Sequence, residues 1–297
     1  MTDARPGRLD VGVVSAGRAG SVLGAALGAA GHRVVGVAAR SEASRERASV
    51  LLKDVPVRPA AAVAADAQLL LLAVPDDVLP GLVGELADSG AVGAGQVVVH
   101  VCGRHGTDVL EPASARGALA LAVHPAMTFT GTSLDLGRLP GCPMAITAAP
   151  ALLPLAQAVA VDLGGEPVVV AAADRALYHA GLAHGANHLV TLVTQSARML
   201  EQAGVPDPGQ YLRPLLEAAL SNALSGGESA LTGPVARGDA ETVRAHTTAL
   251  GELDQPSQTD LLATYGHLAR TTAARAVRTG RLDPDAAAAV LDALPPG

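Results

Sequence analysis

The sequence predicts an α/β domain built on a doubly wound parallel sheet, followed by an all-α region. Short apolar runs alternate with helical patterns through the first 170 residues. Several of these runs, such as residues 69–72 and 97–99, are apolar throughout. Continuous apolar strands between helices are typical of a parallel sheet that helices cover on both faces. Right-handed crossover connections then give a doubly wound sheet. The strand-like runs stop after Ala171, which predicts the helical region.

The predicted strands are short runs rich in Val, Leu and Ala that end at Gly, Pro or polar residues. They cover residues 9–14, 33–38, 68–73, 96–101, 119–123, 143–147 and 167–170. Between them, residues 18–30, 42–52, 76–88, 108–113 and 151–163 have helical patterns. Further helical patterns cover residues 174–204, 206–225, 239–253, 257–279 and 283–294, separated by Gly and Pro. We therefore predict one domain over residues 1–170 and a second, helical domain over residues 171–297.

Composition excludes several classes of protein. The net charge is −7 and no long basic run exists, so we expect no nucleic-acid partner. The longest apolar stretch, residues 145–161, is broken by Pro150 and Pro154, and residues 1–10 contain no apolar signal region, so no membrane association is expected. The two cysteines form no C-x-x-C motif, which suits a reducing compartment and predicts a cytoplasmic protein.

A glycine-containing turn follows the first predicted strand and opens the first helix. It comprises Ser15, Ala16, Gly17, Arg18, Ala19 and Gly20. In this setting G-x-G-x-x-G binds a dinucleotide, although Ser15 occupies the first glycine position. Gly17 lets the backbone approach a pyrophosphate at the helix N-terminus, and Gly20 brings the helix onto the sheet. We therefore interpret residues 1–170 as a Rossmann-type domain in which these six residues contact the cofactor.

Arg40 predicts which cofactor is bound. It lies about 20 residues beyond the glycine turn, where NAD enzymes place an acid for the ribose hydroxyls. A guanidinium there binds a 2′-phosphate through charge-assisted hydrogen bonds, and Ser41 and Arg45 add donors nearby. The prediction is NADP(H), the alternative being that Arg40 is a solvated loop residue. Val74 and Pro75, at the end of the third strand, are expected near the nicotinamide ribose, and Asp76 is expected to cap the next helix.

The long helix predicted at residues 174–204 carries polar groups on one face. His184, Asn187 and His188 lie at i, i+3 and i+4. Reduction of a ketone or imine by hydride requires a proton from a positioned acid. His184 or His124 is the predicted donor, and Asn187 is the predicted carbonyl ligand; the alternative for the helix residues is that these side chains satisfy one another. His184 and His188 also have a zinc-pair spacing, but no H-E-x-x-H glutamate and no nearby Cys accompany them, so no metal site is predicted.

Two further segments contain candidate substrate contacts. His124 ends a strand before Pro125, so its side chain is expected to face the cleft and contact substrate or nicotinamide; alternatively it anchors the loop that follows. A loop over residues 232–239 separates two helices, and there Thr232 and Arg237 are the predicted substrate contacts, with Arg237 pairing with a carboxylate. Asp239 is expected to cap the next helix.

Four motifs together resemble those of a known family. They are the turn Ser15-Ala16-Gly17-Arg18-Ala19-Gly20, Ala73-Val74-Pro75-Asp76-Asp77, His124-Pro125-Ala126-Met127-Thr128-Phe129-Thr130-Gly131 and Ala230-Leu231-Thr232-Gly233-Pro234. The chain resembles the Rossmann-like oxidoreductases that carry a helical C-terminal domain of unknown function of the 2520 type. These are distant relatives of ketopantoate, 6-phosphogluconate and β-hydroxyacid dehydrogenases and of pyrroline-carboxylate reductases. The resemblance implies NADP binding, a homodimer built through the helical domain, and a small substrate held between the domains.

The same resemblance implies roles for particular residues. The β-hydroxyacid relatives use Lys and Asn in a K-x-x-x-N pattern; Asn187 matches the Asn, but Ala183 stands where the Lys would be. The relatives bind the substrate carboxylate with a Ser-Gly pair, and the matching pair here is Cys102 and Gly103. The prediction is an NADPH-dependent reductase of a small 2-oxo acid, ketopantoate-like. The alternatives are an imine reductase of pyrroline-carboxylate type and a non-catalytic NADP-binding sensor or interaction dimer.

Overall fold

A seven-stranded sheet forms the centre of the first part of the molecule, in the strand order β2-β1-β3-β4-β5-β6-β7. A computed structural model of the chain describes residues 7–253 and 260–296. The strands are β1 (Asp10–Val14), β2 (Arg33–Ala38), β3 (Leu69–Leu72), β4 (Val97–His100), β5 (Leu119–Pro125), β6 (Pro143–Ala148) and β7 (Glu166–Val169). Each predicted strand is found within two residues of its expected bounds, and the predicted fold class is confirmed.

Helices connect the strands and make up most of the rest of the chain. They are α1 (Arg18–Ala29), α2 (Glu42–Leu51), α3 (Ala60–Ala65), α4 (Leu79–Asp88), α5 (Glu111–Ser114), α6 (Leu153–Asp162), α7 (Arg175–Gln202), α8 (Pro208–Gly226), α9 (Pro234–Arg237), α10 (Ala240–Glu252), α11 (Asp260–Arg278) and α12 (Pro284–Asp292). Short 3-10 turns cover Thr107–Leu110, Ser133–Arg138, Pro150–Leu152, Ala172–Asp174 and Gly227–Ala230. The helix predicted from residue 257 has its first three residues outside the described part. Within that part, no helix combines the length and apolarity needed to cross a bilayer.

The sheet departs from the predicted parallel arrangement at its far edge. Strands β1 to β5 are mutually parallel, whereas β6 pairs with β5 antiparallel and β7 follows β6 in parallel. Parallel neighbours need a crossover connection, usually a helix. The link between β5 and β6 contains only the 3-10 turn Ser133–Arg138, so the chain returns in the opposite direction.

Two apolar layers cover the sheet. One packs α1, α2 and α6 on one face, and the other packs α3, α4 and α5 on the opposite face. Both layers are built almost wholly from Ala, Val and Leu, as expected for a chain with one Phe and no Trp. Small side chains allow close backbone approach: a Cβ on Gly12 of β1 would lie 2.8 Å from the Val63 carbonyl oxygen of α3.

The chain divides into two compact units, Met1–Asn187 and His188–Gly297. The division falls inside α7, and the domain boundary predicted at residue 170 stays a prediction. The second unit has its own apolar cluster, formed by α9 to α12 around Val243, Ala273 and Val290. The prediction that Asp239 caps a helix is confirmed, since its side chain accepts a hydrogen bond from the Thr242 N–H at 3.0 Å.

Candidate functional site

The glycine turn follows β1 and places the N-terminus of α1 at the carboxyl end of the sheet. Ser15 has φ +85°, a conformation that glycine adopts more readily than any other residue. The N–H groups of Ser15 and Ala16 both donate to the Ala38 carbonyl oxygen, at 3.1 and 3.2 Å. Gly20 then passes beneath the turn, where a Cβ would lie 2.0 Å from the Ser15 carbonyl oxygen. The tight turn therefore forms around Ser15 without the first glycine of the motif.

The N-terminus of α1 has the properties of an anion site. Gly17 precedes the helix, and neither a side-chain cap nor an acidic residue occupies the first turn. A Cβ on Gly17 would have only the Ser15 hydroxyl oxygen near it, at 3.4 Å, so the space above the turn is open. The uncapped N–H groups and the helix dipole favour a phosphate there.

A groove of about 730 Å³ extends from this turn across the ends of β1 and β2. Its lining includes eight predicted cofactor contacts: Ser15, Ala16, Gly17, Arg40, Ser41, Arg45, Val74 and Pro75. The other three predicted contacts, Arg18, Ala19 and Gly20, are not among its lining residues. Gly20 is buried below the turn, and Arg18 lies against the loop after β5, where its Cγ is 2.9 Å from the position of a Cβ on Gly131. The structure thus brings most of the predicted cofactor residues together.

Positive charge collects at one end of the groove. Arg40 and Arg45 are exposed, and neither guanidinium has an ion-pair or hydrogen-bond partner within the described part of the chain. Arg58 also lines the groove, but it pairs with Asp66 at 2.5 Å. Ser41 caps α2 by accepting from the Ser44 N–H at 3.2 Å, which leaves its hydroxyl proton available. Two guanidiniums and a hydroxyl are suitable ligands for a phosphate group.

A second, smaller pocket of about 320 Å³ lies within the first unit, between the end of β5 and the first half of α7. It is lined by His124, Ala126, Met127, Thr128, His179, Leu182, Ala183, Ala186 and Asn187. The structure therefore places the predicted His124 and Asn187 around one cavity, which Ala183 also lines. His184 is not among the lining residues, and its role as proton donor stays a prediction.

Gly103, which follows β4, lies next to this pocket. A Cβ on Gly103 would lie 2.5 Å from Cδ2 of His179 and 3.1 Å from Nε2 of His124, so the pocket side of this residue admits no side chain. Its predicted partner Cys102 is buried, with Sγ 3.8 Å from the Val74 carbonyl oxygen. Burial raises the pKa of the Cys102 thiol, and the nearby Asp76 acts in the same direction. The thiol therefore stays protonated and is a poor nucleophile.

His124 is held by a tyrosine that sequence reasoning left without a role. The Nδ1 atom of His124 lies 2.9 Å from the Tyr178 hydroxyl oxygen. Burial lowers the pKa of His124 to about 4, and the charges of Arg175 and His179 act in the same direction. Burial raises the pKa of Tyr178. Both groups are therefore neutral near pH 7, and when the Tyr178 hydroxyl donates to Nδ1, the Nε2 atom carries the ring proton.

Arg175 is the main residue that sequence reasoning missed. Its side chain is fully buried and donates to five oxygens, which belong to β5, to β6 and to the loop after β4. The acceptors are Thr147 Oγ1 at 2.8 Å and the carbonyl oxygens of Ala145 at 3.0 Å, Ala122 at 3.1 Å, Cys102 at 3.4 Å and Gly103 at 3.5 Å. A signal existed in the sequence, because Arg175 is the only Lys or Arg between residues 139 and 197.

His100 and Asp76 fix the loops around the pocket. His100 is fully buried; its Nε2–H donates to the Gly106 carbonyl oxygen at 2.8 Å, and its Nδ1 accepts from the Cys102 N–H at 3.2 Å. Asp76 was expected to cap a helix, but α4 begins only at Leu79, and Asp76 instead pairs with Arg104 at 3.5 Å. In residues 7–253 and 260–296, no three His, Cys, Asp or Glu side chains are placed to hold a metal ion.

Thr232 and Arg237, the remaining predicted substrate contacts, belong to the second unit. Thr232 lines two pockets of that unit, and Arg237 is the last residue of α9. Their contact with a substrate stays a prediction.

Comparison with known families assigns the two halves of the chain. Residues 1–125 match the Rossmann-like domain family. Residues 142–272 match the family described as a domain of unknown function, DUF2520. The chain therefore combines a Rossmann-like domain with a DUF2520 domain. A comparison with curated proteins gave no match to this DUF2520 protein.

Several solved structures share the fold of this DUF2520 protein. A Bacteroides fragilis protein to which an NADP oxidoreductase activity has been ascribed is 20% identical, with a TM-score of 0.75 over 90% of this chain and 98% of its own. A reductive aminase from Aspergillus terreus in complex with NADPH and ethyl levulinate is 17% identical, with a TM-score of 0.63 over 95% and 98% of the two chains. An imine reductase from a Pseudomonas species is 19% identical, with a TM-score of 0.60 over 96% and 99%. At these identities the similarity concerns the fold.

Proposed function

We propose that this DUF2520 protein is an NADP(H)-dependent reductase of a small 2-oxo acid of ketopantoate type. The observation that carries the proposal is a short chain of contacts between the groove and the pocket within the first unit. Val74 lines the groove, and its carbonyl oxygen contacts Sγ of Cys102 at 3.8 Å, next to Gly103 at the pocket. A cofactor lying along the groove with its nicotinamide at Val74 and Pro75 therefore ends beside the pocket.

The residues of the groove fit NADP(H). The uncapped N-terminus of α1 at Gly17 suits the pyrophosphate, and Arg40, Ser41 and Arg45 suit the 2′-phosphate. The presence of NADPH in the reductive aminase of similar fold supports this assignment. When bound, NADPH supplies the hydride that reduces the carbonyl carbon.

The pocket supplies the groups that a carbonyl reduction needs. His124, through Nε2–H, and Asn187 both line it, so each can donate a hydrogen bond to the carbonyl oxygen. As hydride reaches the carbon, the developing alkoxide takes the proton from His124 Nε2, and Tyr178 returns one to Nδ1 across 2.9 Å. Arg175, whose guanidinium carbon lies 6.0 Å from the centre of the Tyr178 ring, stabilises the phenolate until solvent reprotonates it.

Binding of the cofactor is tested by calorimetry with NADPH and NADH. We expect tighter binding of NADPH, and we expect Arg40→Glu to reduce that preference at least about tenfold, because a carboxylate repels the 2′-phosphate. Arg116→Glu, which makes the same charge change at an exposed position outside the groove, is the matched control and should keep the preference. Heat from neither nucleotide would overturn the proposal, and unchanged selectivity in Arg40→Glu would remove Arg40 from the phosphate site.

Turnover is tested by following NADPH oxidation with a panel of 2-oxo acids and cyclic imines. We expect oxidation with a 2-oxo acid, and His124→Phe should lower kcat on the order of a hundredfold, because it removes the proton donor. Tight NADPH binding without turnover on any compound would instead indicate a sensor or interaction protein.

Imine reduction is the second candidate function, because Ala183 lines the pocket where the relatives have Lys. A protonated imine brings its own proton at nitrogen and does not need that Lys. The imine reductase and reductive aminase of similar fold favour this candidate. Turnover of cyclic imines but not of 2-oxo acids would establish it.

We also propose that the protein is a homodimer. From residue 184 to residue 192 every residue of α7 is exposed, including Val190 at 64%. Along α8, Tyr211 and Leu215 are each 66% exposed and Leu224 is 80% exposed. Helices with this much uncovered apolar surface mark interaction sites, and a second copy of the chain is the partner that the family resemblance implies.

The two cysteines are free and buried, which agrees with the proposed cytoplasmic location.

A further inference from the structure

The buried charge of Arg175 has no carboxylate to balance it. Within residues 7–253 and 260–296 the guanidinium forms no ion pair, and its acceptors are four carbonyl oxygens and one hydroxyl. Those dipoles solvate the cation, but they leave its net charge in place. Because burial removes water as well, the field of this charge extends further through its surroundings than a surface charge does.

The charge lies directly behind the pocket. Its Nη1 atom donates to the carbonyl oxygens of Cys102 and Gly103, and Gly103 is in van der Waals reach of His124 and His179, which line the cavity. Asp76 acts on Cys102 and His124 as well, but Arg104 pairs with Asp76 at 3.5 Å. None of the residues lining the pocket is acidic.

The backbone of Gly103 adds a donor at this position. Gly103 is buried, and its carbonyl oxygen accepts from Arg175. In the described part of the chain, its N–H donates to no atom. Buried N–H groups without an acceptor are rare in folded proteins, and the partial positive charge of this one adds to that of Arg175 behind His124 and His179, which line the cavity.

We propose that Arg175 is the positioning residue that sets the charge preference of this pocket, so that the pocket binds an anionic substrate group and rejects a cationic one. This inference rests on the proposed function, and it selects between its two substrates. A 2-oxo acid presents a carboxylate, which the field of Arg175 attracts. A protonated imine presents a cation, which the same field repels.

The test compares two product-like ligands of nearly equal shape. Calorimetric titration of the full protein, saturated with NADP+, measures the Kd of lactate, an anion, and of lactamide, its neutral analogue. We expect lactate to bind at least about tenfold more tightly than lactamide in the wild type. Arg175→Gln should abolish that preference, and Arg175→Lys, which keeps the charge, should retain most of it.

Thr147→Val is the matched control, because it removes one acceptor of Arg175 without changing any charge. A merely structural role for Arg175 predicts that Thr147→Val and Arg175→Gln weaken both ligands alike. A charge role predicts that only Arg175→Gln changes the ratio of the two Kd values. A ratio unchanged in Arg175→Gln, or a wild type that binds the two ligands equally, would overturn the inference.

A measurement on the wild type covers the case in which Arg175→Gln does not fold. In protein labelled with 15N-arginine, the Nε resonance of Arg175, identified by its loss in Arg175→Lys, should shift on addition of lactate and stay in place with lactamide. Equal response to both ligands would contradict the inference. Failure of the proposed function would give a different result. The protein would then oxidise no NADPH with any carbonyl compound, but it would still prefer lactate in a way that depends on Arg175. Such a protein would bind anions without being a reductase.

Discussion

His100 is buried and His124 is half-buried, and each is held neutral; neither forms an ion pair within residues 7–253 and 260–296. Burial lowers the pKa of His100 to about 4, and burial likewise lowers the pKa of His124 to about 4. His100 uses both ring nitrogens to hold the loop after β4, and His124 contacts Tyr178. Protonating either ring would place a second positive charge near Arg175, which the buried surroundings do not accommodate.

These two histidines predict a loss of stability in mild acid. In the unfolded chain they titrate near pH 6.5, so between about pH 6.5 and pH 4 the unfolded state binds more protons than the folded state. The free energy of unfolding therefore decreases as pH falls through that window, by about 1 kcal/mol per histidine at pH 5.5. Urea unfolding at a series of pH values measures the slope.

His124→Gln should remove about half of this pH dependence, since only His100 then contributes. His267→Gln, at an exposed position of α11, serves as the control and should keep the wild-type slope. A slope in His124→Gln equal to that of the wild type would contradict this prediction. It would show that His124 has the same protonation state in the folded and the unfolded chain over this range.

At the scale of single elements, α1 shows how glycine spacing seats a helix on a sheet. Gly20 and Gly24 face the sheet, and a Cβ on Gly24 would lie 2.9 Å from the Val13 side chain. Gly28, one turn further, has more room, since its nearest neighbour would be Val34 Cγ2 at 3.7 Å. Close packing of α1 on the sheet therefore requires glycine at positions 20 and 24 but not at position 28.

This difference gives a matched pair of substitutions. Gly20→Ala would place a Cβ 2.0 Å from the Ser15 carbonyl oxygen, so the turn must move, and we expect a loss of about 3 kcal/mol in stability together with weaker NADPH binding. Gly28→Ala should change stability by less than about 1 kcal/mol, in the stabilising direction, because Ala favours the helix. Thermal unfolding with and without NADPH measures both variants. Equal losses of stability in Gly20→Ala and Gly28→Ala would contradict the close packing of α1 at Gly20.

The loop between β5 and β6 is ordered by one buried carboxylate. Asp135 accepts from the N–H groups of Thr130 and Gly131 at 2.7 and 2.8 Å and from the Thr130 hydroxyl at 3.0 Å. Although burial by itself raises it, these hydrogen bonds from Gly131 and Thr130 hold the pKa of Asp135 below its ordinary value. Gly131 in turn packs against Arg18 and Arg47, and Arg47 donates to the Ala16 carbonyl oxygen at 3.2 Å. This loop therefore connects the pocket residues Ala126 to Thr128 with the glycine turn.

At the scale of the whole molecule, the uncovered apolar helices predict self-association. We expect sedimentation velocity to show a dimer for the wild type and a monomer for the double variant Leu215→Asp and Leu224→Asp, because buried carboxylates are costly at an interface. Both positions are exposed in the single chain, so circular dichroism should show an intact fold.

Val50→Asp is the control for this experiment. Val50 is 58% exposed on α2, away from α7 and α8 in sequence, and the variant should remain dimeric. A monomeric wild type, or a double variant that stays dimeric, would exclude these faces as the interface.

The sequence by itself determined the order and type of the elements, because apolar periodicity and Gly/Pro punctuation are local properties. It also predicted that the glycine turn and the arginines after β2 lie at one edge of the sheet, since the ends of parallel strands converge there. Two short helices were missed, α3 and α9, the first being an Ala-rich segment without capping residues. The reversal at β6 was missed as well, because strand direction depends on how the connecting loop packs.

Only the tertiary structure decided which side chains surround the pocket and in what electrical state. Arg175 follows a 3-10 turn at the start of α7, and its importance comes from acceptor oxygens on β5, on β6 and in the loop after β4. The neutral state of His124 likewise depends on burial and on groups distant in the chain. Burial and long-range charge interactions arise between residues that are far apart in the sequence and come together only in the fold. The spacing of residues along the chain therefore does not predict them.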